Sequence, residues 1–284
     1  MKKMKSRFDA LGDRMKKYEA METERRLMPG LPIMVRLDGR SFHTFTRGMP
    51  RPYHEPMSRA MIETTRALVE ETQACFGYTQ SDEITLAYWN PDPAHEAAFG
   101  GRIQKLVSVI AGTAASAFKD EILLRMPEKA KKRAVFDARV FNMPNLEEMA
   151  ECVLFRALDC SKNSLSMAAS AYYTHRELHR KGGAELHELL HAKGINWADY
   201  PDFFKNGSFL RREEVSTEIP AHTLERIPPQ HRHLHVGKMV RGRVVEAKVP
   251  PFARIANPVQ FLFEGAAPVL RTAVDYEAAE PLAA

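Results

Sequence analysis

Cysteine is scarce in this sequence. The chain has three cysteines among 284 residues, Cys75, Cys152 and Cys160, and no two of them form a CxxC pair. Because any pairing leaves one cysteine over, the count fits reduced thiols in a cytoplasm. A chain of this length buries roughly three quarters of its unfolded surface, so it needs neither disulfides nor a metal to fold.

Long apolar runs are also missing. No stretch of about 18 consecutive apolar residues occurs, which excludes a membrane-spanning helix and leaves no membrane among the expected partners. The basic first residues, MKKMKSR, are not followed by an apolar segment. We therefore expect no secretory signal, and a cytoplasmic location.

Charge is unevenly distributed along the chain, whose net charge is +5. Residues 1–60 hold 14 Lys or Arg and 7 Asp or Glu, whereas residues 61–100 hold one Arg and seven acids. A basic segment followed by an acidic one favours a site that handles polyanions through metal ions. Chance clustering of surface charges is the alternative.

The apolar patterns between residues 33 and 140 predict elements in the order β-α-β-β-α-β. The predicted strands are 33–37, 77–80, 84–89 and 134–140, and the predicted helices are 55–75 and 102–124. This order is that of the split βαβ, or ferredoxin-like, α+β fold. In that fold the first and third strands are antiparallel neighbours at the sheet centre. We therefore expect Asp38 to lie beside Asp82 and Glu83.

Two further helices flank this core in the prediction. The first is 13–24, with Asp13 as its N-cap and Leu11 packed back onto its first turns. The second is 145–157, with Glu147 and Glu148 in its first turn, where the helix dipole favours acids. Three regions are expected: a catalytic core at 1–145, a helical region at 146–213 that completes it, and a loop-rich C-terminal appendage at 214–284, of which 275–284 are loose.

Three acids at one edge of a central sheet repel one another unless cations lie between them. Carboxylate oxygens of this kind suit magnesium, and two such ions activate a hydroxyl and hold a leaving pyrophosphate. Asp38, Asp82 and Glu83 are therefore candidate catalytic residues. The alternative is that Asp38-Gly39 and Ser81-Asp82-Glu83 are only turns or helix caps.

The residues after Asp38 favour phosphate binding. The run Asp38-Gly39-Arg40-Ser41-Phe42-His43 offers backbone N–H groups at a turn, an arrangement that suits a triphosphate. Arg40, Arg47 and Arg51 follow, and arginine binds phosphate through two parallel hydrogen bonds.

Four segments resemble the tRNA-His guanylyltransferase family and its bacterial guanylyltransferase-like members. They are VRLDGRSFHTFT (35–46), YTQSDEITL (78–86), FDARVFNMPN (136–145) and GINWADYPDFFKNG (194–207). The resemblance extends from about Asp13 to about Glu213. Members have a polymerase-like palm and add nucleotides to the 5′ end of tRNA in the 3′-to-5′ direction. Their partners are tRNA and nucleoside triphosphates, and they tend to form homotetramers.

The resemblance also implies roles for individual residues. Asp38 and Asp82 correspond to the carboxylates that bridge two magnesium ions, with the Gly39 carbonyl as a further ligand, and Glu83 corresponds to a third essential acid. The implied nucleotide-binding residues are Asp38, Gly39, Arg40, Ser41, Phe42, His43, Arg51, Ser81, Asp82 and Asn163. Arg51 stands where the family usually has a lysine.

The implied chemistry has three steps. ATP or GTP activates the 5′-monophosphate of tRNA as a 5′-to-5′ capped intermediate. The 3′-hydroxyl of an incoming nucleoside triphosphate then attacks that phosphate and expels the nucleotide, and pyrophosphate is finally removed. Magnesium stabilises charge on the phosphoryl oxygens in the nucleotidyl steps.

One departure from the family pattern concerns residues 159–164. Eukaryotic members carry a His-Ile-Asn-Asn block, whereas DCSKNS here keeps Asn163 and lacks the histidine. That loss implies the guanylyltransferase-like branch, whose members prefer template-directed repair of 5′-truncated tRNA. Lys162 and Asn163 are candidate phosphate contacts, and a polar helix face is the alternative.

Three other patterns compete for a function. His187-Glu188-Leu189-Leu190-His191 matches the HExxH zinc-protease pattern, but Trp197 stands where a third histidine ligand belongs, so an amphipathic helix is favoured. The alternation of His231, His233 and His235 indicates a surface strand or loop, or a metal or RNA contact. Lys129, Lys131, Lys132 and Arg133 form a candidate tRNA phosphate patch or a solvated loop.

Two other functions remain open from the sequence. A nucleotide cyclase shares the palm carboxylates but acts on no RNA. A non-catalytic RNA-binding palm needs none of the three acids, so their presence argues against it.

Overall fold

The structure, a computed structural model, describes residues 7–92, 95–218, 225–226, 228–229 and 238–272. Its strands are β1 Ile33–Gly39, β2 Phe76–Gln80, β3 Glu83–Tyr88, β4 Phe136–Asn142, β5 Ser208–Glu218 and β6 Lys238–Ala247. Its helices are α1 Arg7–Thr23, α2 Phe42–Phe45, α3 Glu55–Thr72, α4 Ile103–Arg125, α5 Leu146–Ser170, α6 His175–Leu178, α7 Gly183–Ala192, α8 Asp202–Lys205 and α9 Pro258–Phe263. None of the helices in these ranges is long and apolar enough to cross a membrane.

The strands form one antiparallel sheet in the order β4-β1-β3-β2-β5-β6. β1 lies between β3 and β4, and Asp38 pairs with Glu83 on one side and Asp137 on the other. Gln80 pairs with Glu83, so β2 and β3 form a hairpin whose two-residue turn is Ser81-Asp82. The predicted α+β class and the predicted pairing of the first and third strands are confirmed.

Alternation along β1 separates two cores. Val35 and Leu37 face one side of the sheet, where they pack with buried residues of α3 and α4. Met34 faces the other side, where it packs with Phe76 and Tyr78 of β2, the first half of α5 and the segment around Phe252. Since successive side chains of a strand point to opposite faces, Arg36 and Asp38 lie on the α5 side.

A third, smaller core joins the C-terminal half of α5 to α7 and α8. Leu165 and Ala169 of α5 pack with Leu186 and Leu190 of α7 and with Phe204 of α8. α5 can reach both this cluster and the sheet because it has 25 residues. Its start agrees with the prediction, since the Asn145 side chain accepts a hydrogen bond from the Glu148 N–H at 2.8 Å.

Two predicted helix boundaries are wrong. α5 ends at Ser170 rather than near residue 157, because buried small residues continue its apolar face. α1 begins at Arg7, so Asp13 lies inside the helix and is not its N-cap. Leu11 remains 45% exposed and does not pack back onto the first turns, because α1 lies on the surface.

The region after residue 213 adds to the same sheet. β5 pairs with β2 and β6 pairs with β5, so the boundary expected between residues 213 and 214 falls inside a strand. The division of the chain into three regions stays a prediction. Phe252, Phe261 and Leu262 lie in the core under α5. The alternating histidines at 231, 233 and 235 and the tail 275–284 lie outside the described residues.

Candidate active site

Three acidic side chains lie where β1 ends and β3 begins. Asp38 is the penultimate residue of β1, Glu83 is the first residue of β3, and Asp82 is the second residue of the turn before it. The Gly39 N–H donates to the Asp82 carbonyl oxygen at 3.0 Å and ties the two segments together. The structure therefore brings together the three acids that the sequence singled out.

Glu83 differs from the other two acids because arginines surround it. It is 5% exposed. The Arg36 Nε donates to its Oε2 at 2.7 Å, and the Arg156 Nη1, from α5, lies 3.3 Å from the same oxygen. Two guanidinium groups therefore provide positive charge beside the acids and compensate Glu83, although its charge still adds to the rise in the pKa of Asp82.

Asp38 and Asp82 form a pair with little compensation. The Arg36 Nη2 lies 3.9 Å from the Asp38 Oδ1, at the outer limit of an ion pair, and Asp82 has no ion-pair partner within the described residues. Burial raises the pKa of Asp82, and the negative charge of Asp38 raises it further. The Ser81 hydroxyl, 3.2 Å from the Asp82 Oδ1, offsets part of this rise.

This donor set fits magnesium in its chemistry. Two carboxylates that repel each other across a small gap are stabilised by a hard divalent cation, which prefers oxygen ligands. Within the described ranges, no three His, Cys, Asp or Glu side chains are grouped so that they could hold a metal. An ion at Asp38 and Asp82 therefore depends on backbone carbonyl, phosphate or water oxygens for its other ligands.

The loop after β1 is held from beneath by aromatic packing. Phe42 is buried and its ring lies 5.2–5.5 Å from the rings of Phe45, Phe118 and Phe136. A Cβ atom at Gly39 would lie 2.5 Å from the Phe42 ring. Glycine is therefore needed at 39 because the aromatic ring occupies the space of a side chain.

Part of the predicted backbone cradle is already occupied. The Gly39 N–H bonds to Asp82 and the Arg40 N–H donates to the Val135 carbonyl at 2.8 Å, so neither is free for phosphate. Ser41 and Ser81 both have left-handed backbones, with φ of 57° and 51°. Such conformations cost a non-glycine residue about 1 kcal/mol or more and cluster at functional sites.

The basic segment 129–133 lies against this loop. The Lys129 Nζ donates to the Arg47 carbonyl at 2.9 Å, and the Lys132 Nζ donates to the Thr44 carbonyl at 3.0 Å. Two of the four residues predicted as a tRNA patch are thus engaged with the loop backbone. Lys131 and Arg133 are exposed.

A cleft of about 830 Å³ opens beside the acids. Its floor includes Asp38, Asp82 and Ser81, and its walls come from the loop 42–54, from α5 and from α8. Among the predicted nucleotide-binding residues it is lined by Asp38, Phe42, His43, Arg51, Ser81, Asp82 and Asn163. Gly39, Arg40 and Ser41 are not among its lining residues.

The two candidate phosphate contacts on α5 differ in position. Asn163 lines the cleft, and its Nδ2 donates to the Asp159 Oδ2 at 3.1 Å. Lys162 is exposed and does not line the cleft. The geometry therefore favours Asn163 over Lys162 as a cleft residue.

The buried thiol in the cleft wall is unsuited to nucleophilic catalysis. Cys160 is 3% exposed, and its Sγ lies 3.6 Å from the Lys205 carbonyl oxygen. Burial raises the pKa of Cys160 to about 12. The thiol therefore stays protonated at neutral pH, which leaves the carboxylates as the reactive groups of the cleft.

The HExxH segment forms α7 and packs as an amphipathic helix. Leu186 and Leu190 are buried. The rings of His187 and His191 lie 6.5 Å apart, and the Trp197 ring stands edge-on to His187 at 5.8 Å. Trp197, which stands at the third-ligand position of the pattern, therefore packs its indole against His187 and offers no metal ligand.

Two site residues went unnoticed in the sequence. Arg36 lies two positions before Asp38, so strand alternation alone places it on the same face. Arg156 is 73 positions from Glu83 and reaches it only because α5 packs on the sheet, so no local pattern signals it.

Comparison with known proteins supports one family. Residues 12–144 match the family model described as tRNAHis guanylyltransferase. The tRNA(His) guanylyltransferase of Schizosaccharomyces pombe is 30% identical over 235 residues, which span 75% of this chain and 83% of that protein.

Two solved structures of bacterial relatives have the same fold. A bacterial tRNA(His) guanylyltransferase-like protein in complex with ATP superposes with a TM-score of 0.74 at 29% identity, over 89% of this chain and 99% of that one. A complex with GTP gives 0.67 at 28% identity, over 86% and 94%. The chain therefore belongs to the tRNA(His) guanylyltransferase family.

Proposed function

We propose that this chain, a tRNA nucleotidyltransferase by family, adds nucleotides to the 5′ end of tRNA in the 3′-to-5′ direction at the cleft beside Asp38 and Asp82. The observation that carries the proposal is a carboxylate pair with little compensation beside a cleft of about 830 Å³. Such a pair suits magnesium-dependent phosphoryl transfer, because hard cations bind there and substrate phosphates complete their coordination.

The two carboxylates are proposed to hold magnesium, with the Gly39 carbonyl as a further ligand. Two magnesium ions, when bound, supply positive charge that stabilises developing charge on phosphoryl oxygens. The raised pKa of Asp82 supports this role, because a cation beside both carboxylates removes the repulsion from Asp38. Glu83 acts through Arg36: its carboxylate fixes the guanidinium within 3.9 Å of Asp38.

The remaining cleft residues are proposed to hold the nucleotide. His43 follows the carboxylate in sequence and lines the cleft, Ser41 lies in the same loop outside the lining, and Ser81 flanks the carboxylate in the turn. Arg51, from the loop before α3, and Asn163, from α5, line the same cleft. Similar chains in complex with ATP and with GTP support a nucleoside triphosphate as the occupant.

The substrate is proposed to be tRNA that lacks its first nucleotides. Residues 159–164 keep Asn163 and carry no histidine. By family resemblance this loss places the chain in the guanylyltransferase-like branch, whose members favour template-directed repair over untemplated guanosine addition.

The experiment uses labelled 5′-monophosphate tRNA without its first nucleotide, together with ATP, nucleoside triphosphates and MgCl₂. Extension by the nucleotide that pairs with the opposing strand is expected on a denaturing gel. A matched tRNA in which the opposing base is changed distinguishes templated addition from addition of guanosine alone. Cyclic nucleotide in place of an extended tRNA would overturn the proposal and favour the cyclase alternative.

Three broader features are part of the same proposal. The element order β1-α3-β2-β3-α4-β4 supports a ferredoxin-like, polymerase-type palm. A homotetramer is proposed by family resemblance, and sedimentation of the purified chain tests it. A cytoplasmic location is proposed from the low cysteine content.

A further inference from the structure

A second cavity of about 570 Å³ adjoins the nucleotide cleft. It lies between the C-terminal end of α5 and the segment from α6 to the start of α7. Arg51, Ser166 and Ser170 line both the cleft and this second cavity, so the two spaces share part of their walls. We call it the basic cavity; its lining residues outside the cleft include His175, His179, Arg180 and Lys181.

The basic cavity is lined by cationic side chains. Arg51, Arg180 and Lys181 carry permanent charge, two histidines lie beside them, and no Asp or Glu belongs to the lining. Within the described part of the chain, neither Arg51 nor Arg180 has an ion-pair partner. Two guanidinium groups on one cavity wall without counter-charges favour an anionic occupant.

The nearest acids are engaged elsewhere. The Glu177 Oε2 accepts from the Thr174 N–H at 2.7 Å, and the Glu185 Oε2 accepts from the Gly182 N–H at 2.8 Å. The first bond is part of a capping box at the start of α6, and the second caps the start of α7 through the Gly182 backbone alone. Among the cations that line the basic cavity, Lys181 alone forms an ion pair with one of these acids, with its Nζ 3.4 Å from the Glu185 Oε1.

The form of the cavity favours a nucleic-acid backbone over a free small molecule. Small-molecule sites are enclosed and apolar with a few buried polar anchors. Here His175, His179 and Arg180 are exposed, and the serine hydroxyls donate to helix carbonyls of their own helix, as Ser170 does to Ser166 at 2.8 Å. Exposed cations along a surface channel are typical of phosphate-backbone contacts.

We propose that the basic cavity binds backbone phosphates of the RNA whose 5′ end lies in the cleft. This inference rests on the proposed function for the identity of the polyanion. Arg180 is the proposed central contact because it is exposed and unpaired, and Arg51 joins the two spaces. The RNA would pass from the cleft over Ser166 and Ser170 into the basic cavity.

The test compares Arg180→Asn with Arg176→Ala. Arg180 has a left-handed backbone, with φ of 61°, which asparagine tolerates better than most residues, so the substitution removes the charge without much strain. Arg176 lies on α6 but does not line the cavity. Arg176→Ala therefore removes one nearby positive charge outside the cavity and serves as the control.

Binding of 5′-truncated tRNA is measured without nucleotide at about 50 to 300 mM KCl. Arg180→Asn is expected to weaken binding at low salt and to reduce the slope of log K against log[KCl] by about 0.7–0.9, the value for one phosphate contact. Arg176→Ala is expected to keep the wild-type slope. ATP affinity is expected to stay unchanged in both variants.

Two results would overturn the inference. An unchanged salt slope in Arg180→Asn would show that Arg180 does not contact an RNA phosphate. A loss of ATP affinity with unchanged RNA binding would show that the cavity binds a nucleoside triphosphate instead. Failure of the proposed function would give a different result, because the wild-type chain would then fail to extend the tRNA. The salt slopes would still show whether the basic cavity binds RNA phosphates.

Discussion

The Arg36 Nε donates to the Glu83 Oε2 at 2.7 Å across two neighbouring strands. This bond separates the acids of the site into two kinds. Glu83 is a buried anion compensated by two guanidinium groups, whereas Asp38 and Asp82 stand beside each other with little compensation. The two kinds are expected to respond differently to substitution.

Glu83→Gln is expected to destabilise the protein. The substitution leaves the guanidinium groups of Arg36 and Arg156 partly buried without their counter-ion, and breaking a buried ion pair from one side costs about 3 kcal/mol. Urea unfolding measures the change. The matched variant Asp38→Asn is expected to change the free energy of unfolding by less than about 1 kcal/mol, because its side chain is 40% exposed and its ion pair is long. Equal losses in both variants would contradict the distinction.

Asp82→Asn is expected to separate activity from stability. Nucleotide addition should fall at least about 100-fold, because an electrostatic group of the reaction is lost. The free energy of unfolding should rise at neutral pH, because the ionised Asp82 is disfavoured by burial and by Asp38.

The pH dependence of this gain has a definite sign. Because the folded-state pKa of Asp82 is raised, the protonated side chain stabilises the fold relative to the ionised one. This stabilisation is fully present below the unfolded-state pKa of 3.8, and it is lost as pH rises through the folded-state pKa. The stability advantage of Asp82→Asn over the wild type should therefore shrink as pH falls toward 3.8. Urea unfolding at several pH values measures it, and a constant difference would contradict the assigned pKa shift.

Magnesium is expected to stabilise the wild-type chain through the same pair. A ligand at ten times its Kd raises the free energy of unfolding by about 1.4 kcal/mol. Thermal unfolding with ATP at rising MgCl₂ should show an increase in Tm that Asp82→Asn reduces. KCl at equal ionic strength controls for charge screening. An equal rise in Tm in the wild type and in Asp82→Asn would show that the ion binds at a site other than Asp82.

The sequence predicted the register of the site but not its ion pairs. Strand periodicity and element order place Asp38 beside Glu83, because a central antiparallel pair has few alternative alignments. The partner of Glu83 on α5, 73 positions away, depends on how a helix packs on a sheet. The length of α5 was missed for the same reason. Its last 13 residues are stabilised by contacts with α7 and α8, which no local sequence pattern indicates.

Gly39→Ala is expected to destabilise the protein by about 2 kcal/mol, because the added Cβ would lie 2.5 Å from the Phe42 ring and force the aromatic cluster to move. The KM for ATP should rise as the loop shifts. Gly112→Ala is the control: it lies in α4 with no atom within 4 Å of the added Cβ and should gain about 0.5–1 kcal/mol. A neutral Gly39→Ala would show that the loop adapts without cost.

Lys132→Met is expected to act on the nucleotide rather than on the RNA. The Lys132 Nζ donates to the carbonyls of Thr44 and Phe45, at 3.0 and 3.2 Å, and so holds the loop that follows the carboxylate. Losing these bonds should raise the KM for ATP several-fold and leave the salt slope of tRNA binding unchanged.

Lys131→Met separates this role from the predicted tRNA patch. Lys131 is adjacent in sequence and exposed. If the segment 129–133 contacts RNA, Lys131→Met should lower the salt slope by about 0.7–0.9 while the KM for ATP stays at the wild-type value. Steady-state kinetics and RNA titrations of both variants give the two readouts. A lower salt slope for Lys132→Met at an unchanged KM for ATP would contradict this prediction. It would show that Lys132 contacts RNA and that its bonds to the loop do not position the nucleotide.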